Sequence, residues 1–238
     1  MIMAAPRTQQ LKNGTLIYLH HQQEFISDII FASKEYFEKR TLDIINRHFN
    51  CSHVLDVGAN IGNHSHFFVK ECNSVVYAFE PIAKKFELLM LNVGSQHLFR
   101  IALSDKIGTT RLYTYNDSLG NNTIADLWDE PPRWGNGLGA EIAPQLPLDV
   151  FSFPCVTFVK IDVEGAELRV LKGARNTLLR HRPQICVEYG TDEGLASKKF
   201  EYRSKDIEEF LGELGYKNLG NDNGGNNFYV PITPITYF

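Results

Sequence analysis

Apolar, strand-like runs that alternate with amphipathic stretches predict an α/β fold for this 238-residue chain, a doubly wound, mostly parallel sheet covered on both faces. Two further observations support that class. A glycine-bearing turn, "GANIG", directly follows the apolar run "VLDV" beginning at Val54, and sheets of this kind bind ligands at the ends of such strands. The C-terminal pieces "YKNLG" and "NFYVPI" read as a closing antiparallel strand pair. At this length one core suffices and no second one is required.

The elements follow in order. After a polar start, "GTLIYLH" reads as a strand, and "EYFEKRTLDIINRHF" has Phe37, Leu42, Ile45 and Phe49 at helical spacing. Residues 1–50 are therefore expected to be a lead-in packed on a single globular unit over residues 51–238. Within that unit "HVLDVG" is a strand, "NHSHFFVKEC" a helix, "SVVYAFE" a strand and "AKKFELLMLNV" a helix. "LFRIALS" follows as a strand and "GTTRLYTY" as a hairpin arm. Then come the strand "VTFVKID", a helix or broken helix "AELRVLKGARNTLLRH", the strand "QICVEY" and the helix "SKDIEEFLGELG".

Residues 116–146 depart from this alternation. They are rich in Gly, Asn and Pro yet carry Trp128 and Trp134. Long structureless segments in compact domains are usually functional or disordered. Two tryptophans favour a loop that covers substrate; the alternative is a surface excursion whose aromatics pack on the body.

Composition excludes several classes. Lys and Arg number 24 against 28 Asp and Glu, a net charge of −4 with no basic run, which argues against nucleic acid as the main partner. Cys51, Cys72, Cys155 and Cys186 are scattered without a Cys-x-x-Cys pair or a zinc-spaced Cys/His cluster, so reduced thiols are expected. The start lacks a basic segment followed by a long apolar one, and no apolar stretch reaches membrane-spanning length. A cytoplasmic protein without membrane association is expected, either monomer or homodimer.

Two nucleotide readings compete for "DVGANIG". A dinucleotide fingerprint wants G-x-G-x-x-G, whereas the methyltransferase form wants an acid at the strand end before G-x-x-x-G, and only the second fits. Gly58 and Gly62 frame the turn, and Asp56 stands at the strand mouth, where a carboxylate reaches an α-ammonium directly or through water. A phosphate-binding loop would need a Gly-Lys-Ser/Thr ending that is absent. The next strand ends in "AFEP", which puts Glu80 where an acid accepts hydrogen bonds from ribose hydroxyls. Taken singly, Asp56 reads equally well as a helix cap and Glu80 as a solvated strand end before Pro81.

The stretches "VLDVGANIGNHS", "YAFEP", "IALSD", "VKIDVEGAELRVLKGA" and "PQICVEYG", in that order, resemble the FkbM family of S-adenosylmethionine-dependent methyltransferases. The resemblance implies the class I methyltransferase (Rossmann-like) fold and O-methylation of a sugar, glycoconjugate or natural product. It implies that Asp56, Gly58, Ala59, Asn60, Gly62 and Asn63 line the methionine side of S-adenosylmethionine, that Glu80 and Pro81 meet the ribose, and that Ile101, Ala102, Ser104 and Asp105 lie near adenine. Asp162, Glu164 and Glu167 would stand at the fourth strand end, where catalytic groups gather. His64 and His66 depart from many relatives, so no role transfers to them, and residues 116–146 find no firm match. N-methylation of a protein or small amine, and a non-catalytic cofactor-fold module, remain as alternatives.

Methyl transfer is an in-line displacement, so the protein must align an acceptor and relieve it of a proton. Asp162 is the first choice for base or orienter and also borders the cofactor; beside a sulfonium it would be held ionised, a good acceptor of hydrogen bonds but a weak base. Glu164 reaches the same space, Glu167 caps the following helix, and Glu188 from the fifth strand is assigned to the acceptor with Trp128 and Trp134. His64 is the other base candidate, since imidazole titrates near neutrality, with a capping role as its alternative. Lys160 is read as structural. Asp162, Glu164 and Glu188 could gather Mg²⁺, but nothing in the spacing demands a metal.

Overall fold

The computed structural model describes residues 5–21, 24–114, 122–124, 139–189 and 202–232. A seven-stranded sheet organises the chain. Its first parallel strand is β3 (His53–Val57), after β1 (Arg7–Gln10) and β2 (Leu16–Leu19), which form a separate two-stranded sheet. From β3 the chain runs through α3 (Asn63–Glu71), β4 (Val75–Phe79), α4 (Ala83–Val93) and β5 (His97–Phe99) toward one edge. It re-enters on the other side of β3 with β10 (Phe158–Ile161) and continues through α5 (Glu167–Gly173), α6 (Arg175–His181), β11 (Gln184–Glu188) and α7 (Ser204–Glu213). The hairpin of β12 (Tyr216–Asn221) and β13 (Asn226–Pro231) closes the other edge, with β13 antiparallel to β11.

The strand order is therefore β12-β13-β11-β10-β3-β4-β5. Connections leave β3 and β10 in opposite directions, so a crevice opens beyond their carboxyl ends, the topological switch point of a doubly wound sheet. Successive strand residues face opposite sides. Val54, Val76, Phe158 and Cys186 pack with Leu42, Phe68 and Leu89 on one face, while Leu55, Val159, Ile161 and Ile185 pack with Leu171, Leu178 and Leu211 on the other.

Three features differ from the sequence expectations. A helix α1 (Phe25–Ser33) precedes α2 (Lys39–His48), and Glu24 caps it through Ile26 N and Ser27 N. Glutamate is outside the usual cap repertoire, so the start signal is weak. The stretch "LFRIALS" is split: its end, β6 (Ala102–Leu103), leaves the main sheet for a second one. Gly139–Leu146, part of the segment expected to be irregular, is strand β9 of that sheet and pairs antiparallel with β7 (Gly108–Thr114), which also pairs with β8 (Asn122–Ile124). Leu112 and Ala143 of this second sheet pack with Ile82 and Ala166, laying it beside the crevice.

The seam between the second sheet and α5 is tight at one glycine. A Cβ on Gly173 would stand 1.9 Å from the carbonyl oxygen of Ser104. Gly173→Ala is expected to cost about 1–3 kcal/mol through forced backbone displacement, read as a lowered urea midpoint with an unchanged slope.

Candidate functional site

A cavity of about 270 Å³ occupies the switch-point crevice. Its first wall is the turn after β3. Gly58 has φ +83, and a Cβ there would lie 1.8 Å from the carbonyl oxygen of Asp162, so a side chain is excluded by contact as well as by conformation. The amides of Gly58 and Ala59 both donate to Phe79 O at 2.9 and 3.0 Å. Asn60 follows in the left-handed region at φ +54, and Gly62 at φ +86 starts α3.

Glu80 ties this turn to the next one. Its Oε2 accepts from Asn60 N at 2.9 Å and its Oε1 from Ile82 N at 2.8 Å. Burial pushes its pKa up, which the two amides oppose. Each oxygen keeps a further lone pair for a donor in the cavity. Asn60 Oδ1 is buried and receives no hydrogen bond among the described residues.

The opposite wall is acidic. Asp162 follows β10, Glu188 ends β11, Glu164 lies in the turn after β10, and Glu38 starts α2. Glu164 is left-handed at φ +57. Glu167, nearly inaccessible, holds that turn by accepting from Gly165 N at 2.7 Å and Val163 N at 3.2 Å, and Tyr202 donates to its other oxygen. Beneath the wall, the fully buried Lys160 places Nζ 3.5 Å from Asp162 Oδ2 and 3.6 Å from Glu188 Oε2. Glu38 Oε1 accepts from Asn226 Nδ2 at 3.1 Å, and its Oε2 lies 3.2 Å from His64 Nε2. Burial opposes the charge of Glu38, but His64, Lys160 and Asn226 outweigh it and bring its pKa down to about 2.

Of the residues expected in a site, Gly58, Asn60, Glu80, Pro81, Ile101, Ala102, Asp162, Glu164 and Glu188 line this cavity. Others do not. Asp56 points to the face covered by α3, where its carboxylate accepts from Ser65 Oγ and is 1% exposed, so it does not form the cavity wall. Ala59 and Gly62 contribute backbone geometry, with Ala59 itself in the core. Asn63 exchanges two hydrogen bonds with the main chain of Phe37, and His64 faces Glu38 rather than the cavity. His66 is buried against Tyr36 OH at 2.9 Å, and burial lowers its pKa to about 4. Ser104 lies under Gly173 and donates to Asp105, away from the cavity. Trp128 and Trp134 fall outside the described residues.

Sequence reasoning missed Phe25, Ile26, Phe37 and Glu38, which carry the lead-in into the cavity wall. Glu38 sits at φ +53 without a glycine to signal a turn, so no local pattern marks it. Among the described residues no group of three or more His, Cys, Asp or Glu side chains is arranged to hold a metal ion.

A family model described as the methyltransferase FkbM domain matches residues 56–217. Methyltransferase sdnD of Sordaria araneosa is 27% identical over 176 residues, covering 60% of this chain and 68% of that protein. Among solved structures, methyltransferase FkbM from Methylobacillus flagellatus KT has a TM-score of 0.50 at 15% identity, covering 76% of this chain and 44% of its own. Monomeric WbdD has a TM-score of 0.51 at 10% identity, covering 90% of this chain and 47% of its own. The chain thus spans less than half the length of these two solved chains, and at such identities the likeness is one of fold.

The depressed pKa of Glu38 sets an acid-side prediction. Its stabilisation is complete above the unfolded carboxyl value of about 4.5 and is lost as pH falls toward about 2. Glu38→Gln should therefore lower the melting temperature at neutral pH, and the difference from wild type should shrink as pH falls through that window, as differential scanning fluorimetry would record.

Proposed function

The chain belongs to the FkbM methyltransferase family, with the class I methyltransferase fold, and we propose that it transfers the methyl group of S-adenosylmethionine to a hydroxyl of a sugar, glycoconjugate or natural product. The observation that carries this reading is the pairing, within one cavity, of a glycine turn clamped by Glu80 with an acidic wall from the neighbouring strands. The residues fit the cofactor. Gly58 lets the turn after β3 pack against the Asp162 carbonyl and line the cavity with backbone, Glu80 has acceptor capacity for ribose hydroxyls, and Asn60 Oδ1 is an unused acceptor for an α-ammonium. Ile101, Ala102 and Leu103 supply an apolar wall for adenine.

When bound, S-adenosylmethionine supplies a methyl carbon activated by its sulfonium. The protein's part is alignment, worth roughly 7–11 kcal/mol in favourable cases, and removal of a proton. Asp162 orients the acceptor oxygen, with Glu164 and Glu188 beside it. The acidic wall favours a hydroxyl over an amine, because carboxylates would hold an amine as the non-nucleophilic ammonium. Trp128 and Trp134 are assigned to the acceptor as flat apolar faces.

Among the described residues no helix is long and apolar enough to cross a membrane, and Cys51, Cys72, Cys155 and Cys186 are free thiols. The free thiols support a reducing, cytoplasmic setting. The test of the reaction is release of S-adenosylhomocysteine in the presence of sugar, protein and amine panels; turnover confined to amines would contradict it.

Two substitutions separate the walls. Glu80→Ala should weaken S-adenosylmethionine binding by about 1.5–3 kcal/mol in calorimetry, because the ribose loses a charged acceptor. Asp162→Asn should leave that affinity within a few fold while turnover falls about 100-fold or more, and equal losses in both would make Asp162 a cofactor contact instead.

A further inference from the structure

The acidic wall rests on a cation that the proposed reaction leaves without a task. Lys160 lies in the middle of the sheet, in register with Asp56 on β3 and Cys186 on β11. Its side chain is 1% exposed, and Nζ has no hydrogen bond among the described residues. A buried ammonium costs several kcal/mol unless anions repay it. Burial pulls its pKa down, but Asp162, Glu188 and Glu38 more than reverse this, so Lys160 stays an ammonium and is no base.

We propose that Lys160 is a positioning residue that holds the carboxyls of Asp162 and Glu188 together at the acceptor end of the cavity, and that Glu188 takes the acceptor's proton while Asp162 orients the hydroxyl. This rests on the hydroxyl-methylation reading above.

The placement carries the assignment. Asp162 and Glu188 leave adjacent parallel strands at the same edge, both line the cavity, and one ammonium lies within 4 Å of each. Glu188 also feels the charges of Glu164 in the turn after β10 and Glu38 at the start of α2, while on its other side it faces the uncharged Asn226 of β13 and Gly225 of the preceding turn. Burial first, then Asp162, pushes Glu188 up to about 9, with Lys160 pulling the other way. A carboxyl in that range is a far stronger base, once ionised, than an ordinary one. As the acceptor oxygen bonds to the methyl carbon and the carbon–sulfur electron pair passes to sulfur, the hydroxyl proton moves to the Glu188 carboxylate and later to water. Neither oxygen nor sulfur is left charged.

The test is a carbon-13 NMR titration of protein labelled at the glutamate carboxyls, without cofactor. The resonance absent from Glu188→Gln should titrate above neutrality in wild type, and higher still in Lys160→Met, which lacks the ammonium that favours the ionised form. Glu188→Gln should also lower kcat about 100-fold on the best acceptor in a methyl glycoside panel, with S-adenosylhomocysteine affinity held within a few fold. Titration of Glu188 in the ordinary carboxylate range, or a wild-type kcat in Glu188→Gln, overturns the proposal. If Lys160→Met does not fold, wild type and Glu188→Gln still decide it. Wild-type protein that fails to bind S-adenosylhomocysteine overturns the methyltransferase reading instead, and with it the proton's destination, whatever the titration gives.

Discussion

The close approach of Gly58 to the carbonyl of Asp162 is the contact on which the site depends. Strands β3 and β10 are paired up to Val57 and Ile161, and just beyond that rung Asp162 N still donates to Val57 O at 3.0 Å. A side chain at position 58 would drive them apart, since even a Cβ would overlap the Asp162 oxygen. With hydrogen alone at that position, the turn bearing Asn60 and the turn bearing Asp162 and Glu164 are held on two sides of one cavity. The strand order fixes where the crevice lies, and this contact fixes its width.

The remaining geometry is held by carboxylates used as structural clamps. Glu80 spans two amides on one side of the cavity, and Glu167 spans two behind the acidic wall on the other. Each sits beside a non-glycine residue in the left-handed region, Asn60 and Glu164 respectively, and Glu38 is a third such residue on the cavity wall. Strain of this kind costs of order 1–3 kcal/mol per residue and persists only where the surroundings over-determine it. The Asn226 bond and the His64 contact do this for Glu38, and so join the lead-in, α3 and the closing hairpin at one point.

Much of this was legible in the chain. The span "AKKFELLMLNV" is α4 to the residue, because Leu88, Leu89 and Val93 recur on one buried face, and the antiparallel closing pair follows from two short runs separated by a turn. That the glycine turn and Glu80 come to line one cavity is legible because their spacing is local. The sheet's alternation turns the carboxylate of Asp56 to the α3 face, which the spacing alone does not reveal, and Asn60, three residues past the strand end at Val57, lines the cavity. Ser104 and Asp105 follow β6 as it leaves the main sheet, a crossing that no motif announces. Glu38 and Phe37 reach the site only through tertiary packing of the lead-in, which periodicity does not encode.

Whether this crevice is an S-adenosylmethionine site divided between a ribose clamp and an acid wall is decided by a crystal structure of the chain with S-adenosylhomocysteine. Both ribose hydroxyls should lie within hydrogen-bonding distance of Glu80, the amino-acid end beside Gly58 and Asn60, and the sulfur toward Asp162 and Glu188. Ligand bound elsewhere, or in this crevice with its ribose away from Glu80, would contradict this reading.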